Sequence, residues 1–387
     1  MQVYKLRSTL GWIWISLLLV LVSGIQAQNI LISGKVIDAE NNAPVEFANL
    51  GVIGTYLGTA SDFNGAFSLS VSDEFADFKV QISAVGYRPK ELTVNELQLL
   101  TPLTIKLLPQ AYGIGQVDVK AESKRLYGIV KSAANLISDN YTKAYNAKVY
   151  FEQTHDASQK TEAAIYFSDV NGYGERSYSG AFENRNYKVE EIRRNFEAVP
   201  LQSGLIRIQE LLDFDIVRVR GNVLDADVVD RFKLDLKEEI EIKGDSIWVI
   251  SFEMEKPDIV GTGDVRIKAY KGLLYVNQND HAIVRVQING ISGGYYHAGR
   301  SAYQEKSESQ TYEYTVVVDY RKFETGYALS KMVYSQHAPG DDAVNKSELK
   351  WIVYDTSSKG DKLTNTRQYF VDKESNPEFW KRFSIPE

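Results

Sequence analysis

Residues 33–71 read SGKVIDAENNAPVEFANLGVIGTYLGTASDFNGAFSLSV, and residues 78–94 read FKVQISAVGYRPKELTV. Apolar positions alternate in short runs: Ile32, Gly34 and Val36, then Ala48, Leu50 and Val52, then Phe67, Leu69 and Val71. Between them stand Asn41-Asn42-Ala43-Pro44 and Asp62-Phe63-Asn64-Gly65. Alternation places every second side chain on one face of an extended chain, and clusters of Asn, Asp, Pro and Gly reverse its direction. Runs this short and this closely spaced predict a small antiparallel β-sandwich. Further strands are expected at Lys79 to Val85 and Thr104 to Leu108, the latter closed by Pro109.

The order G-K-V-I-D, P-V-E-F-A-N-L, G-T-x-S-D-F-N-G-x-F-S-L and V-G-Y resembles the carboxypeptidase D regulatory-like domain, a transthyretin-like sandwich of bacterial envelope proteins. The matching positions are Gly34, Val36, Asp38, Pro44, Ala48, Gly58, Thr59, Asp62, Gly65, Phe67, Gly86 and Tyr87. Ser61 stands where the family usually has Thr, which keeps the hydroxyl. The resemblance covers about a fifth of the chain and implies an accessory module without catalytic residues.

Ahead of it, Lys5 and Arg7 precede the apolar run Trp12 to Val22, and Ser23-Gly24-Ile25-Gln26-Ala27 follows. Basic flank, short apolar core and small residues are the pattern of a secretory signal peptide, with cleavage expected between Ala27 and Gln28. The run is shorter than the ~20 residues that span a bilayer. With no cysteine in the chain, disulfides, thiolate chemistry and Cys-based metal sites are excluded. The formal charge is −7, and removal of Lys5 and Arg7, with no acid in residues 1–27, takes it to −9. An acidic chain without a basic block lacks the electrostatic footprint of a nucleic-acid binder.

Residues 110–122 then read as a linker, with Gly113 and Gly115, although Val117 to Lys120 has the look of one more extended piece. The expected organisation is signal peptide 1–27, sandwich 28–109, linker 110–122 and a second domain 123–387. In that domain Leu126, Ile129, Val130, Ala133, Leu136 and Ile137 share one face of a helix from Ser123, its expected N-cap, to Ser138. Strand-like runs follow at Ala147 to Thr154, Glu162 to Val170, Arg231 to Lys243, Ser246 to Glu253, Val265 to Tyr270, Gly272 to Val276, Ala282 to Asn289, Tyr312 to Phe323, Tyr327 to Gln336 and Glu348 to Tyr354. One helical insertion, Leu205 to Asp213, interrupts them. Tight turns between successive strands predict a large antiparallel meander sheet, or half-barrel, with a packed α-helix, so the fold class is mainly β.

The segment Ile129 to Ala133 with Asn140-Tyr141, the phrases GLLYVNQNDHAIVRVQI and YRKFETGYALSKMVY, and Pro377 to Trp380 resemble the C-terminal part of envelope proteins that carry the regulatory module. The two sheet phrases are also similar, more weakly, to the half-barrels of periplasmic lipoprotein carriers.

Chemistry is sparse. None of His155, His281, His297 and His337 has a glutamate three positions on, so a zinc peptidase motif is missing. Gly290-Ile291-Ser292-Gly293-Gly294 fits G-x-S-x-G, and Asp319 and His337 follow in an esterase order, but the chemistry needs a strained turn between strand and helix. Tyr295-Tyr296-His297 is a poor helix start, so a glycine-rich loop is the expectation. Asp62 to Gly65 reads as a β-turn rather than a calcium loop. Among twenty-four tyrosines, Tyr295, Tyr296 and Tyr303, with His297, sit in or beside that Gly-rich loop and offer contact surface for a glycan or protein.

These readings describe an exported, non-catalytic envelope protein of the periplasm or outer membrane, without cofactor or nucleic-acid partner. Its expected work is interaction or support, with an envelope protein or glycan as partner. The alternative is a carrier for a lipid or other apolar ligand, its cavity lined by Val284, Val286, Ile288, Val316, Val318 and Trp351. A hydrolase using Ser292 is the third.

Overall fold

The computed structural model describes residues 29–53, 55, 57–62, 64–84, 86–100, 103–109, 119–155, 159–174, 185–196, 208–242, 244–293, 311–337, 347–363 and 375–386. The expected signal peptide and its cleavage point, Ala27 and Gln28, lie outside these residues, as do Tyr295, Tyr296, His297 and Tyr303.

Seven strands form the N-terminal unit: β1 (Asn29–Asp38), β2 (Asn49–Val52), β3 (Gly58–Ala60), β4 (Ala66–Ser72), β5 (Lys79–Ser83), β6 (Lys90–Thr93) and β7 (Leu103–Leu107). They make two sheets, ordered β4-β1-β7 and β3-β2-β5-β6. All pairings are antiparallel except β1 with β7, which run parallel. Alternation buries Ile32, Val36, Leu50, Phe67, Leu69, Val80 and Ile82 between the sheets. A short helix that the sequence analysis did not anticipate, α1 (Val94–Leu99), starts at a Thr93–Glu96 capping box and adds Val94 and Leu97 to this core.

The motif residues hold the turns. Ser61 is fully buried; its hydroxyl donates to Val45 O at 2.7 Å and accepts from Ala48 N at 2.8 Å, so a hydroxyl is required there. Asp62 Oδ1 accepts from the backbone of Asn64 and Ala66, which makes the segment a turn, as expected. Gly65 has φ +72°, and a Cβ on it would meet Val36 O at 2.3 Å. Tyr87 donates to Asp38 Oδ2 at 2.9 Å, tying the V-G-Y motif to the G-K-V-I-D strand.

The second unit is one ten-stranded antiparallel sheet, ordered β10-β9-β8-β17-β16-β15-β14-β13-β12-β11. Its strands are β8 (Tyr145–His155), β9 (Gln159–Asp169), β10 (Arg185–Arg194), β11 (Lys233–Ile242), β12 (Asp245–Glu253), β13 (Ile267–Asn277), β14 (Ile283–Gly293), β15 (Thr311–Phe323), β16 (Gly326–His337) and β17 (Ser347–Ser357). Strand β13 is continuous through Lys271, where the sequence analysis placed two pieces. Strand β10 was not anticipated, because RNYKVEEIRR carries too much charge to read as a strand. Consecutive strands are neighbours except β10 and β11, which lie at opposite edges, and β8 reaches β17 instead.

Helices α2 (Val119–Asn135) and α3 (Ile137–Asn140) bury Leu126, Ile129, Val130, Ala133 and Ile137 against one face of the sheet. The expected extended piece at Val117 to Lys120 and the N-cap at Ser123 are both corrected: Val119 and Lys120 are already helical, and Ser123 lies inside the helix. Between β10 and β11 the chain crosses the same face through α4 (Ile208–Leu212) and α5 (Ile216–Val219), where Leu205 to Asp213 had been expected as one helix. A further short helix, α6 (Ile259–Thr262), follows β12, and α7 (Pro377–Arg382) is the last described element. No described helix is long and apolar enough to cross a membrane.

Candidate functional site

Strand alternation sorts the big sheet into a helix face and a sandwich face. Val286, Ile288, Val316, Val318 and Trp351 point to the helix face, are at most 1 % exposed and belong to one core with Leu126, Val130 and Leu211. Thus five of the six residues expected to line a carrier cavity pack against the chain's own helices. Val284 belongs to the same core and is 6 % exposed, but it also borders open space on the other side.

That other side carries the charge. Register sets Arg285 opposite Asp319 and Asp319 opposite Lys331. In the next row Lys350 is opposite Glu152, Glu152 opposite Glu162 and Glu162 opposite Arg193. Opposite charges on neighbouring strands attract at these separations, and the like pair Glu152–Glu162 is bridged by Lys160, 2.8 Å from one and 3.4 Å from the other. Arg285 Nε donates to Asp319 at 2.5 Å, Lys350 Nζ lies 3.1 Å from Glu152 and 3.0 Å from Glu348, and His337 lies 3.5 Å from Glu313.

The sandwich stands over this face. Asn64 donates to Glu313 at 3.1 Å, Ser83 donates to Glu238 at 3.4 Å, and Lys271 pairs with Glu46 and sits over the Phe47 ring. Phe47 holds φ +56°, a conformation a bulky residue rarely adopts. Its ring packs on the core of the second unit.

Beside these contacts opens a cleft of about 620 Å³. Its sandwich wall sets Leu57, Phe67, Phe75 and Phe78 among Thr55, Thr59, Asp62, Ser68 and Ser70; its sheet wall carries Asp319, Lys331, Val333, His337, Glu348 and Lys350. A second lobe of about 590 Å³ shares Leu57, Val284 and Asp319 and runs to Glu238 and Arg285. The volumes fall in the ~300–1,000 Å³ range of ligand sites.

The charges in the cleft are not equivalent. Burial works against the Arg285 cation, but Asp319 outweighs it and raises the guanidinium above its ordinary range. Burial likewise opposes the Lys350 ammonium, and Glu348 and Glu152 reverse the effect. Burial pushes the Glu238 carboxyl up, with Ser83 offsetting only part. At Lys331 burial prevails and pulls the ammonium below the usual lysine range, Asp319 notwithstanding. Among the described residues Lys331 has no hydrogen bond and no ion pair within 4 Å, because Arg285 already holds the Asp319 carboxylate.

The G-x-S-x-G segment is corrected in two respects. Gly290 to Gly293 continue β14 instead of forming a loop, and Ser292 is a fully buried strand residue opposite Tyr312. Gly290 is required because the Tyr314 ring lies across it; a Cβ there would be 2.2 Å from that ring. Ser292 shares the parity of the helix-face residues, whereas His337 and Asp319 line the cleft on the sandwich face, so the three are not brought together. Among the described residues no three His, Asp or Glu side chains are grouped to hold a metal ion.

Lys331, Arg285 and Lys350 are not marked as site residues by the sequence pattern. Each occupies the polar phase of a strand alternation, which in isolation reads as solvent-facing; only the second unit of the chain turns that face into a wall.

Residues 32–119 match the family described as the CarboxypepD_reg-like domain, so the N-terminal unit is a domain of that kind. No curated protein matches the chain. Among solved structures the chain is similar to a DUF1329 family protein from Desulfovibrio piger, at 12 % identity over 62 % of this chain and 93 % of that one, with TM-score 0.28. It is similar to a LolA superfamily protein from Nitrosomonas europaea, at 9 % identity over 62 % and 94 %, TM-score 0.28. Mycobacterium tuberculosis lipoprotein LppX is also similar, at 10 % identity over 62 % and 98 %, TM-score 0.23. At such scores the likeness decides neither fold nor function.

Proposed function

We propose that this protein is a binding component of the bacterial cell envelope, which holds a partner between its two β units and performs no chemistry itself. The observation that carries the reading is the cleft of about 620 Å³, because neither unit makes it alone: one supplies aromatic and hydroxyl side chains and the other a charged wall. Export rests on the N-terminal signal-peptide pattern and the regulatory-like domain. The non-catalytic reading draws support from the separation of Ser292 from His337 and Asp319 across the sheet. A carrier of a lipid or other apolar ligand is the second reading, favoured by Leu57, Phe67, Phe75 and Phe78; it moves the ligand from the helix face to this cleft.

The test places a photocrosslinking amino acid at Val333, in the cleft, and at the exposed Lys233 as control, in the protein exported from its native cells. A specific adduct at 333 that the control lacks is expected. Equal labelling at both positions, or none, removes the reading.

A further inference from the structure

Two sheet edges border the cleft. Strand β4 is the outer strand of β4-β1-β7, and β3 is the outer strand of β3-β2-β5-β6. Ala66, Phe67, Ser68, Leu69 and Ser70 all line the cavity, as do Gly58, Thr59 and Ala60. Alternation sends Phe67 and Leu69 into the sandwich and Ser68 and Ser70 outward. Consecutive residues of a strand can all border one space only if that space runs along the strand's edge. Along such an edge half of the backbone N–H and C=O groups point away from the neighbouring strand and are a template for a further strand; Ala66 bonds both of its groups to Asp62, so the template begins beyond it.

Across from this edge stands Lys331, half-buried and, among the described residues, without an ion pair, since Arg285 holds the Asp319 carboxylate opposite it. We propose that the occupant of the cleft is an extended acidic peptide segment, which adds to the free edge of β4 and sets a carboxylate on Lys331. The inference rests on the cleft being the binding site. An acyl chain would suit Phe75 and Phe78 but leave the edge groups of β4, with Ser68 and Ser70, facing hydrocarbon, which is costly for unpaired polar groups. A peptide satisfies both walls: its backbone pairs with β4, apolar side chains meet Phe75 and Phe78, and an acid meets Lys331. A carboxylate beside Lys331 would also restore the charge that burial opposes there.

The probe is a fluorescein-labelled pentapeptide of alternating threonine and valine ending in aspartate, with its C-terminus amidated, titrated against the mature protein by anisotropy. Saturable binding is expected. N-methylation of alternate amides should weaken it about tenfold or more, since pairing bonds are lost, and aspartate replaced by asparagine should weaken it about tenfold. Lys331→Met and Lys331→Gln should each weaken the aspartate peptide about tenfold and leave the asparagine peptide unchanged, a coupling that a general loss of structure would not produce. Equal affinity of the N-methylated peptide overturns strand addition, and equal loss for both peptides overturns the role of Lys331. The crosslink at Val333 separates the levels: a lipid adduct in cells leaves the cleft reading standing and overturns the peptide, whereas no adduct removes both.

Discussion

At the residue scale the structure uses charge in two ways. Arg218 and Asp169 are each 1 % exposed in their side chains and paired through Nε at 2.6 Å on the helix face. Asp215 joins the network by accepting from Tyr173, Tyr320 and the Arg218 backbone. Removing one member of such a pair strands a charge in a dry interior, so Arg218→Met should cost about 3–5 kcal/mol, read as a lowered urea midpoint at unchanged slope. Glu152 illustrates the other use. Burial pushes its carboxyl up, but Lys350 and the bonds from Lys160 and Tyr150 outweigh this and hold it at about 2, against an ordinary value of 4.5. A carboxyl depressed in the folded state stabilises it fully above the ordinary value and loses that contribution as pH falls toward 2. Urea midpoints at pH 7, 4.5 and 2.5 should therefore fall more steeply for the native protein than for Glu152→Gln, which should be the less stable of the two at pH 7.

At the element scale, α7 is held by aromatic contact rather than by the core of either unit. Trp380 packs with Tyr150 and Ile352, the Arg193 guanidinium lies 4.4 Å from its ring centre, and Phe383 stacks on Tyr150 at 6.0 Å. A six-residue helix has little stability alone, so it exists while docked. Trp380→Ala should release it: residues 376–383 should lose hydrogen-exchange protection and become sensitive to protease, while the unfolding free energy of the sheet changes by less than about 1 kcal/mol. The same scale shows where sequence reading succeeds and where it stops. Turns and alternation made both β units and the helix-face core legible, since Val286, Ile288, Val316 and Val318 had to lie on one side. Register was not legible. Counting back from the Glu324–Thr325 turn sets Asp319 opposite Ser330; a bulge between Asp319 and Tyr320 shifts it to Lys331. A one-residue irregularity with no Gly or Pro to mark it thus decides which side chain shares the cleft with Asp319. Strand β10 was hidden for a related reason: Arg193 is paired with Glu162 of the neighbouring β9 at 2.7 Å, and that partner is invisible in a one-strand pattern.

At the scale of the molecule, two separate cores meet across a polar seam. The sandwich core and the sheet–helix core share no buried member, and Phe47 is the sandwich side chain that packs on the larger one. Among the described residues, polar bridges join Lys271 with Glu46, Asn64 with Glu313 and Ser83 with Glu238. Beneath the seam Asn289 is fully buried, and among the described residues its amide has no hydrogen-bond partner. Polar seams of this kind couple domains weakly, so the two units should unfold independently. The sequence supplies a built-in probe, because no tryptophan lies between Trp14 and Trp248; beyond residue 27, tryptophan fluorescence reports only the sheet unit, through Trp248, Trp351 and Trp380. Far-UV circular dichroism reports both. Urea transitions followed by the two signals should not coincide, and the fluorescence curve should match only one of two steps in the dichroism. Phe47→Ala removes the apolar bridge while leaving the strained backbone in place, so it should spread the two steps further apart. Coincident curves in the native protein would mean that the seam transmits folding energy, and the cleft would then be a rigid slot instead of a space that opens as the units separate.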